Sequence, residues 1–420
     1  MGLAVRLLAV FAAVAAGYAT ILAVKVSNAP SLTAAHLAPL ALYALALAVT
    51  WGALAASRYR GDTGLVAGAF LLAGIGLVTQ LRMGAYAAGW TELVPLALGA
   101  GVFVLAAVLA GKGRAARLVG AGWPAYLGAL AVMALVVVFG RRFRGGLYLP
   151  GLYNPTEFAK PLLVLFLAAF LDRRRAAFGA VRFHVLPAPP FRSLAALALV
   201  WLPPMALSLL LGDLGLVMML SLVLVAMLYA VERRPAWLLA GALALVALGA
   251  LGAYLSAHAN VRVAIWRNPF ADPTGRGWQV LQALAAMYAG GMWGCGLGSG
   301  TPAAVPIVSS DFVYAALGEE IGLAGCALLL TLYGVYCGRA WRAAANAAPP
   351  AASLLGAGLA ACLASQMLLN VAGVTKALPL TGLALHFISH GGSSFVTSFL
   401  IAGLLVAISE SGEARKGDRA

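Results

Sequence analysis

Long apolar runs broken by short polar stretches dominate the chain. A membrane-crossing helix needs roughly 20 mainly apolar residues. Twelve runs approach or meet that need: 5–26, 37–57, 64–82, 92–111, 122–140, 157–171, 193–211, 214–231, 236–256, 312–338, 351–373 and 394–409. The pattern predicts an all-α polytopic membrane protein of about twelve transmembrane helices. Residues 1–20 share features with a secretory signal, with Arg6 before an apolar run and small residues after it. The run continues to Val24 and further membrane segments follow, so it is read as the first helix. One long break, about 258–311, is too polar and glycine-rich to span a bilayer. It is expected to form a large outer loop that folds back into the protein.

Composition leads to the same class. Of 420 residues, 63% are hydrophobic and 10% charged, against about 45–50% and about 25% in an ordinary soluble domain. Mean hydropathy is +0.95. Disorder needs low hydrophobicity and a disulfide scaffold needs many cysteines, so both are excluded. Cys326, Cys337 and Cys362 lie in apolar segments and Cys295 in a glycine-rich loop; they read as small apolar fillers. No soluble domain, internal repeat or low-complexity tract is visible. The linker at about 172–192 contains Pro187, Pro189 and Pro190 and is expected to be irregular.

The net charge of +15 is a topology signal, since no basic stretch interleaved with aromatics points to nucleic acid. One set of breaks carries Arg58 and Arg60, then Lys112, Arg114 and Arg117, then the cluster from Arg173 to Arg192. The same set continues with Arg233, Arg234, Arg339, Arg342 and the tail residues Arg415, Lys416 and Arg419. The positive-inside rule therefore puts both termini in the cytoplasm. Ten cations remain on the other side, and seven of them fall in the outer regions 141–160 and 258–311: Arg141, Arg142, Arg144, Lys160, Arg262, Arg267 and Arg276. They are either solvated loop charge or a cationic rim for an anionic, phosphorylated ligand.

Acidic residues number only thirteen, and a charge at membrane depth costs about 3 kcal/mol or more. Each one near a span is therefore a site candidate. Asn154-Pro155-Thr156-Glu157-Phe158-Ala159-Lys160 opens the sixth run, with Glu157 and Lys160 on one helix face. They are a neutralising structural pair or a cavity-lining pair that orients a polar head group. Asp213, in Gly212-Asp213-Leu214-Gly215, sits at a tight outer turn as a helix cap or a site residue. The outer loop holds Arg276-Gly277-Trp278-Gln279, then the glycine string 290–300, then Ser309-Ser310-Asp311-Phe312 ahead of Glu319-Glu320. Asp311 is a plain N-cap or a carboxylate suited to general-base work. A last segment, Leu378-Pro379-Leu380-Thr381-Gly382 to His386 through His390 and Ser393, reads as a loop of small residues and hydroxyls at the outer face. His386 and His390 stand four apart without a third ligand nearby, which argues against zinc. No P-loop, Gly-x-Ser-x-Gly or Cys-x-x-Cys occurs, so nucleotide-driven chemistry is not expected.

In this order and at these spacings, the four motifs resemble those of the SEDS family of shape, elongation, division and sporulation proteins (FtsW, RodA, SpoVE). Asn154 to Lys160 is similar to its Gln-Pro-Ser-Glu-x-x-Lys motif, and Gly212 to Gly215 to its Pro-Asp-Leu-Gly turn. Gly290 to Glu320 resembles its glycine-rich loop, Thr-Asp-Phe and Glu-Glu-x-Gly; Leu378 to Ser394 resembles its Pro-x-Thr-Gly and Ile-Ser-x-Gly-Gly-Ser segment. Several positions depart from the pattern. Ile307 stands where many members have a carboxylate, Ser310 replaces the threonine, Gly212 the proline, and His386 and His390 a proline and a tyrosine.

The resemblance implies a core of ten helices over 64–410, preceded by an extra helix pair over 1–63 and followed by a cytoplasmic tail at 411–420. It implies a peptidoglycan glycosyltransferase in the bacterial inner membrane. Such an enzyme polymerises lipid II, a lipid-diphosphate-linked disaccharide–pentapeptide, into undecaprenyl-linked glycan at the outer face. A class B penicillin-binding protein is the implied partner. Asp311 falls on the family's proposed catalytic aspartate, Glu157 and Lys160 on its cavity pair, and Asp213 on its turn aspartate. Further substrate-binding candidates are Arg141, Arg142, Arg144, Arg276, Gln279 and Ser393, with a divalent cation (Mg2+ or Mn2+) left open. The alternatives are a lipid II flippase, for which Glu157, Lys160 and Asp213 would matter more than Asp311, and a non-catalytic scaffold.

Overall fold

A computed structural model describes residues 2–28, 36–84, 93–143, 146–149, 154–179, 190–255 and 257–417. All twelve apolar runs are helices, with most ends within a few residues of those expected; the helices over 312–338 and 394–409 continue eight residues further, to Asn346 and Gly417. In chain order the helices are α1 (Leu3–Asn28), α2 (Ala38–Ala56), α3 (Thr63–Arg82), α4 (Val94–Ala110), α5 (Ala115–Val119), α6 (Gly122–Phe139), α7 (Thr156–Arg173), α8 (Arg175–Gly179), α9 (Phe191–Leu210), α10 (Leu214–Glu232), α11 (Ala236–Leu255), α12 (Ala257–Arg267), α13 (Trp278–Gly290), α14 (Val313–Asn346), α15 (Pro350–Val374) and α16 (Gly392–Gly417). Among the described residues, nine helices are long and apolar enough to cross a membrane. The chain is an all-α polytopic membrane protein.

Burial orders the bundle. Helix α15 lies at its centre against α7, α10, α14 and α16, and α16 packs closely on α4. Phe70, Phe103 and Phe399 meet edge-on between α3, α4 and α16, with ring centres 5.3–6.0 Å apart. That geometry adds about 0.5–1.5 kcal/mol per pair beyond the area each ring buries. Peripheral helices instead turn leucines outward, as at Leu199 and Leu202 on α9 and Leu45 on α2. Lipid is as apolar as a protein core, so these side chains lose nothing there. Helices α1 and α2 pack on α3 and α4, and the Tyr43 hydroxyl of α2 donates to the Phe70 carbonyl at 2.7 Å.

Two features differ from the sequence expectation. Outer segment 258–311 is partly helical, holding α12 and α13. A small hairpin, β1 (Arg141–Phe143) and β2 (Gly146–Tyr148), adds two antiparallel strands. Strands this short give no usable alternation in the sequence.

Helix α14 is broken at Gly322, whose φ of 64° and ψ of −173° lie where essentially only glycine sits. The glycine string fills the break. Cys295 and Gly296 donate N–H bonds to the Glu319 and Glu320 carbonyls, while the Leu323 and Ala324 N–H groups donate to Gly291 and Met292. Four backbone groups orphaned by the break are thus satisfied inside the membrane protein. A Cβ at residue 322 would press into the Gly294 nitrogen and the Met292 carbonyl. Gly322→Ala is therefore expected to destabilise the fold by about 1–3 kcal/mol from backbone strain alone. A lowered unfolding temperature in detergent checks this; an unchanged one contradicts it.

Candidate active site

The segments that hold Asp311, Glu157 and Asp213 come from distant parts of the chain and meet at one end of the bundle. They line a single cavity of about 870 Å³, together with Arg141, Tyr148, Arg262, Gln279, His390 and Ser393. Its volume is that of a ligand site.

Asp311 is positioned through its neighbours' backbone. The Ser309 carbonyl accepts from His390 N–H at 2.7 Å and from Gln80 Nε2 at 3.0 Å. The Ser310 carbonyl accepts from the Ser389 hydroxyl at 2.6 Å, and the Asp311 carbonyl accepts from Asn370 Nδ2 at 3.0 Å. Three successive carbonyls are therefore fixed by α3, by the 389–390 turn and by α15. The cap position of α14 falls one residue on, at Phe312.

Facing Asp311 is the 380–385 segment. Asn370 also donates to the Leu383 carbonyl at 2.6 Å, and Gln366, one turn earlier on α15, donates to the Ala384 carbonyl at 2.7 Å. Gly382 in this segment has φ of 72°, and a Cβ there would lie 3.7 Å from both Asp311 Oδ2 and Arg262 Nη2. The carboxylate and the guanidinium thus converge on one glycine that lines the cavity with them. Arg262 is held by the Leu380 and Thr381 carbonyls, which accept from its Nη1 at 2.9 and 2.8 Å. Burial lowers the pKa of the Arg262 guanidinium, and the charges of Asp213 and Asp311 offset that effect.

Lys160 is 1% exposed, and its ammonium donates to both Glu157 oxygens at 2.7 Å and to Gln366 Oε1 at 2.8 Å. All three donors of the ammonium are used. Glu157 lines the cavity while Lys160 is buried behind it, so the two do not form a lining pair. Asp213 caps α10 by accepting from Leu216 N–H at 2.8 Å and also lines the cavity. Burial pushes its carboxyl up, against the effect of that hydrogen bond. Burial and the surrounding carboxylates likewise raise the Tyr148 phenol.

The remaining candidates divide. Arg141, Gln279 and Ser393 line the cavity, and Ser393 accepts from Asn154 N–H at 3.2 Å. Arg142 does not, because hairpin alternation turns it away from the side that Arg141 faces. Arg276 lines a neighbouring cavity instead. Arg144 lies outside the described residues. Glu319 and Glu320 brace the glycine string, accepting from Thr301 and Gly298, and Arg82 pairs with Glu320 at 2.7 Å. His386 is in the core against Ser398, 2.6 Å away, apart from the cavity that His390 lines. Three contributors were missed in the sequence: Arg262, which was noted only as an outer charge, and Gln366 and Asn370. The last two were detectable as amides inside an apolar run.

A divalent cation would need a converging donor set. Among the described residues no three of His, Cys, Asp and Glu converge on a common point. Glu157 is engaged by Lys160 and Asp213 caps a helix, so these residues do not fit a metal.

The "Cell cycle protein" family, FtsW/RodA/SpoVE, matches residues 63–414. The chain belongs to this family. It is 39% identical over 265 residues to peptidoglycan glycosyltransferase RodA of Mycobacterium tuberculosis, covering 62% of this chain and 56% of the relative. It is 33% identical over 295 residues to the probable peptidoglycan glycosyltransferase FtsW of Geobacter sulfurreducens, covering 68% and 76%. The chain thus spans little more than half the length of the mycobacterial relative. Among solved structures, one described as a peptidoglycan synthase complex that coordinates polymerization and crosslinking matches at a TM-score of 0.66 and 28% identity, over 84% of this chain and 98% of the other. The crystal structure of the rod shape determining protein RodA of Thermus thermophilus matches at 0.56 and 26% identity, with the same coverage.

Proposed function

We propose that the chain is a peptidoglycan glycosyltransferase that polymerises lipid II at the outer face of a bacterial cell membrane, beside a class B penicillin-binding protein. The observation that carries this reading is the convergence of Asp311 and Arg262 at Gly382, on the wall of a cavity large enough for sugar units. Membership of the family supports the same chemistry.

In the reaction, a sugar hydroxyl of the acceptor attacks the anomeric carbon of the donor. A new C–O bond forms as the bond from that carbon to the lipid diphosphate breaks, and its electron pair leaves on the phosphate oxygen. The hydroxyl proton passes to the Asp311 carboxylate, acting as general base. Arg262, beside Asp311 and held by two carbonyls, provides fixed positive charge where negative charge develops. Glu157, neutralised by Lys160, and Asn154 and Ser393 offer acceptors and donors to orient sugars.

The test follows labelled lipid II in liposomes carrying the purified protein, with polymer and transbilayer movement read separately. Polymer is the expected product. Movement without polymer would replace the reading with a flippase, and neither with a scaffold.

A further inference from the structure

A second cavity of about 400 Å³ adjoins the first, and Arg262, Gln279 and Leu380 line both. The two differ sharply in charge. The first is lined by the carboxylates of Glu157, Asp213 and Asp311, with Arg141 and Arg262 beside them. The second has Arg262, Arg276 and Lys376 on its wall and no carboxylate among its lining residues. Apolar side chains complete it, including Trp266, Trp278 and Leu378. Trp278 and Leu378 are 43% and 39% exposed, so the apolar part opens outward.

The local structure builds this wall firmly. Arg262 and Trp266 stand one turn apart on α12, and both bind the turn after α15. Trp266 Nε1 donates to the Lys376 carbonyl at 3.0 Å, as Arg262 does to those of residues 380 and 381. Arg276 is placed by a turn in which the Asp272 carboxylate accepts from Gly275 and Arg276 N–H at 3.0 Å.

A multiply charged diphosphate is better accommodated by three cations with no carboxylate than by two arginines facing three carboxylates. A prenyl chain needs an apolar exit toward lipid. We infer that the second cavity is the subsite for a polyprenyl diphosphate, the group that departs when the glycosidic bond forms. This rests on the function proposed above. The sugar would occupy the first cavity and its lipid diphosphate the second, with the shared Arg262 at the bond that breaks.

Binding of fluorescent geranylgeranyl diphosphate to the full-length protein in detergent tests the subsite without turnover. The Arg276→Gln/Lys376→Gln double variant should bind at least tenfold more weakly, with an unchanged unfolding temperature. Arg141→Ala, on the first cavity alone, should stay within threefold of wild type. Geranylgeraniol and inorganic diphosphate should each compete at least tenfold more weakly than unlabelled geranylgeranyl diphosphate. The converse pattern, loss with Arg141→Ala and none with the double variant, would overturn the assignment. Equal competition by phosphatidylglycerol would also overturn it, marking a general anionic-lipid surface. Should the double variant unfold, Arg276→Gln alone carries the test, with at least a threefold loss expected and an unchanged affinity contradicting it. The outcomes are separable from the parent reading. Wild type that binds the probe but makes no polymer leaves the subsite and removes the glycosyltransferase, whereas polymer with no probe binding does the reverse.

Discussion

Lys160→Met is expected to destabilise the protein by about 3–5 kcal/mol, the cost of breaking a buried ion pair from one side. The lysine is buried and its ammonium serves Glu157 and Gln366 together. Without it a carboxylate at membrane depth loses its cation, and Gln366 Oε1 loses its donor. Gln366 also fixes the Ala384 carbonyl, so the wall opposite Asp311 loosens with it. Glu157→Gln should also destabilise, because the more deeply buried ammonium is left without an anion even though the new amide oxygen and Gln366 can still accept from it. The double variant should recover part of the Lys160→Met loss, since no uncompensated charge remains. Unfolding temperatures for the three variants form the cycle that checks this. Strictly additive effects would show that the pair is not coupled.

Asp311→Asn is expected to lower polymerisation by about 10²–10⁴-fold, the range for removing a general base. The fold should persist, because the anchoring hydrogen bond from Asn370 goes to the Asp311 carbonyl, which the substitution keeps. The split between lost rate and kept fold is what separates a base from a structural residue. Asp311→Glu keeps the charge but moves it by a bond length, and should retain part of the activity. Binding of substrate should be little altered in either variant, so the loss falls on kcat.

Much of this arrangement was legible in the sequence, for identifiable reasons. Twelve helices were readable because the bilayer demands uninterrupted apolar runs. Asp311, Glu157 and Asp213 stood out because carboxylates are scarce here and expensive near a membrane. Other parts depended on geometry that no local pattern encodes. Arg262 owes its place to carbonyls 118 and 119 residues away. Arg141 faces the cavity and Arg142 does not because of a three-residue strand. Gly322 was one of 49 glycines, and only the insertion of the glycine string into α14 shows why a residue with a Cβ does not fit there. Lys160 was recognised beside Glu157 from their spacing, but its burial behind that residue required the third partner, Gln366, on α15.

The most direct measurement is a gel assay of glycan polymer from lipid II, comparing wild type with Asp311→Asn at matched folded concentration. A class B penicillin-binding protein with its transpeptidase serine disabled should be present, so that polymer length is not obscured by cross-linking. Wild type should give a ladder of glycan strands and Asp311→Asn none on the same timescale. A ladder of equal intensity from the folded Asp311→Asn variant would contradict the assignment of Asp311 as the base on which the account depends.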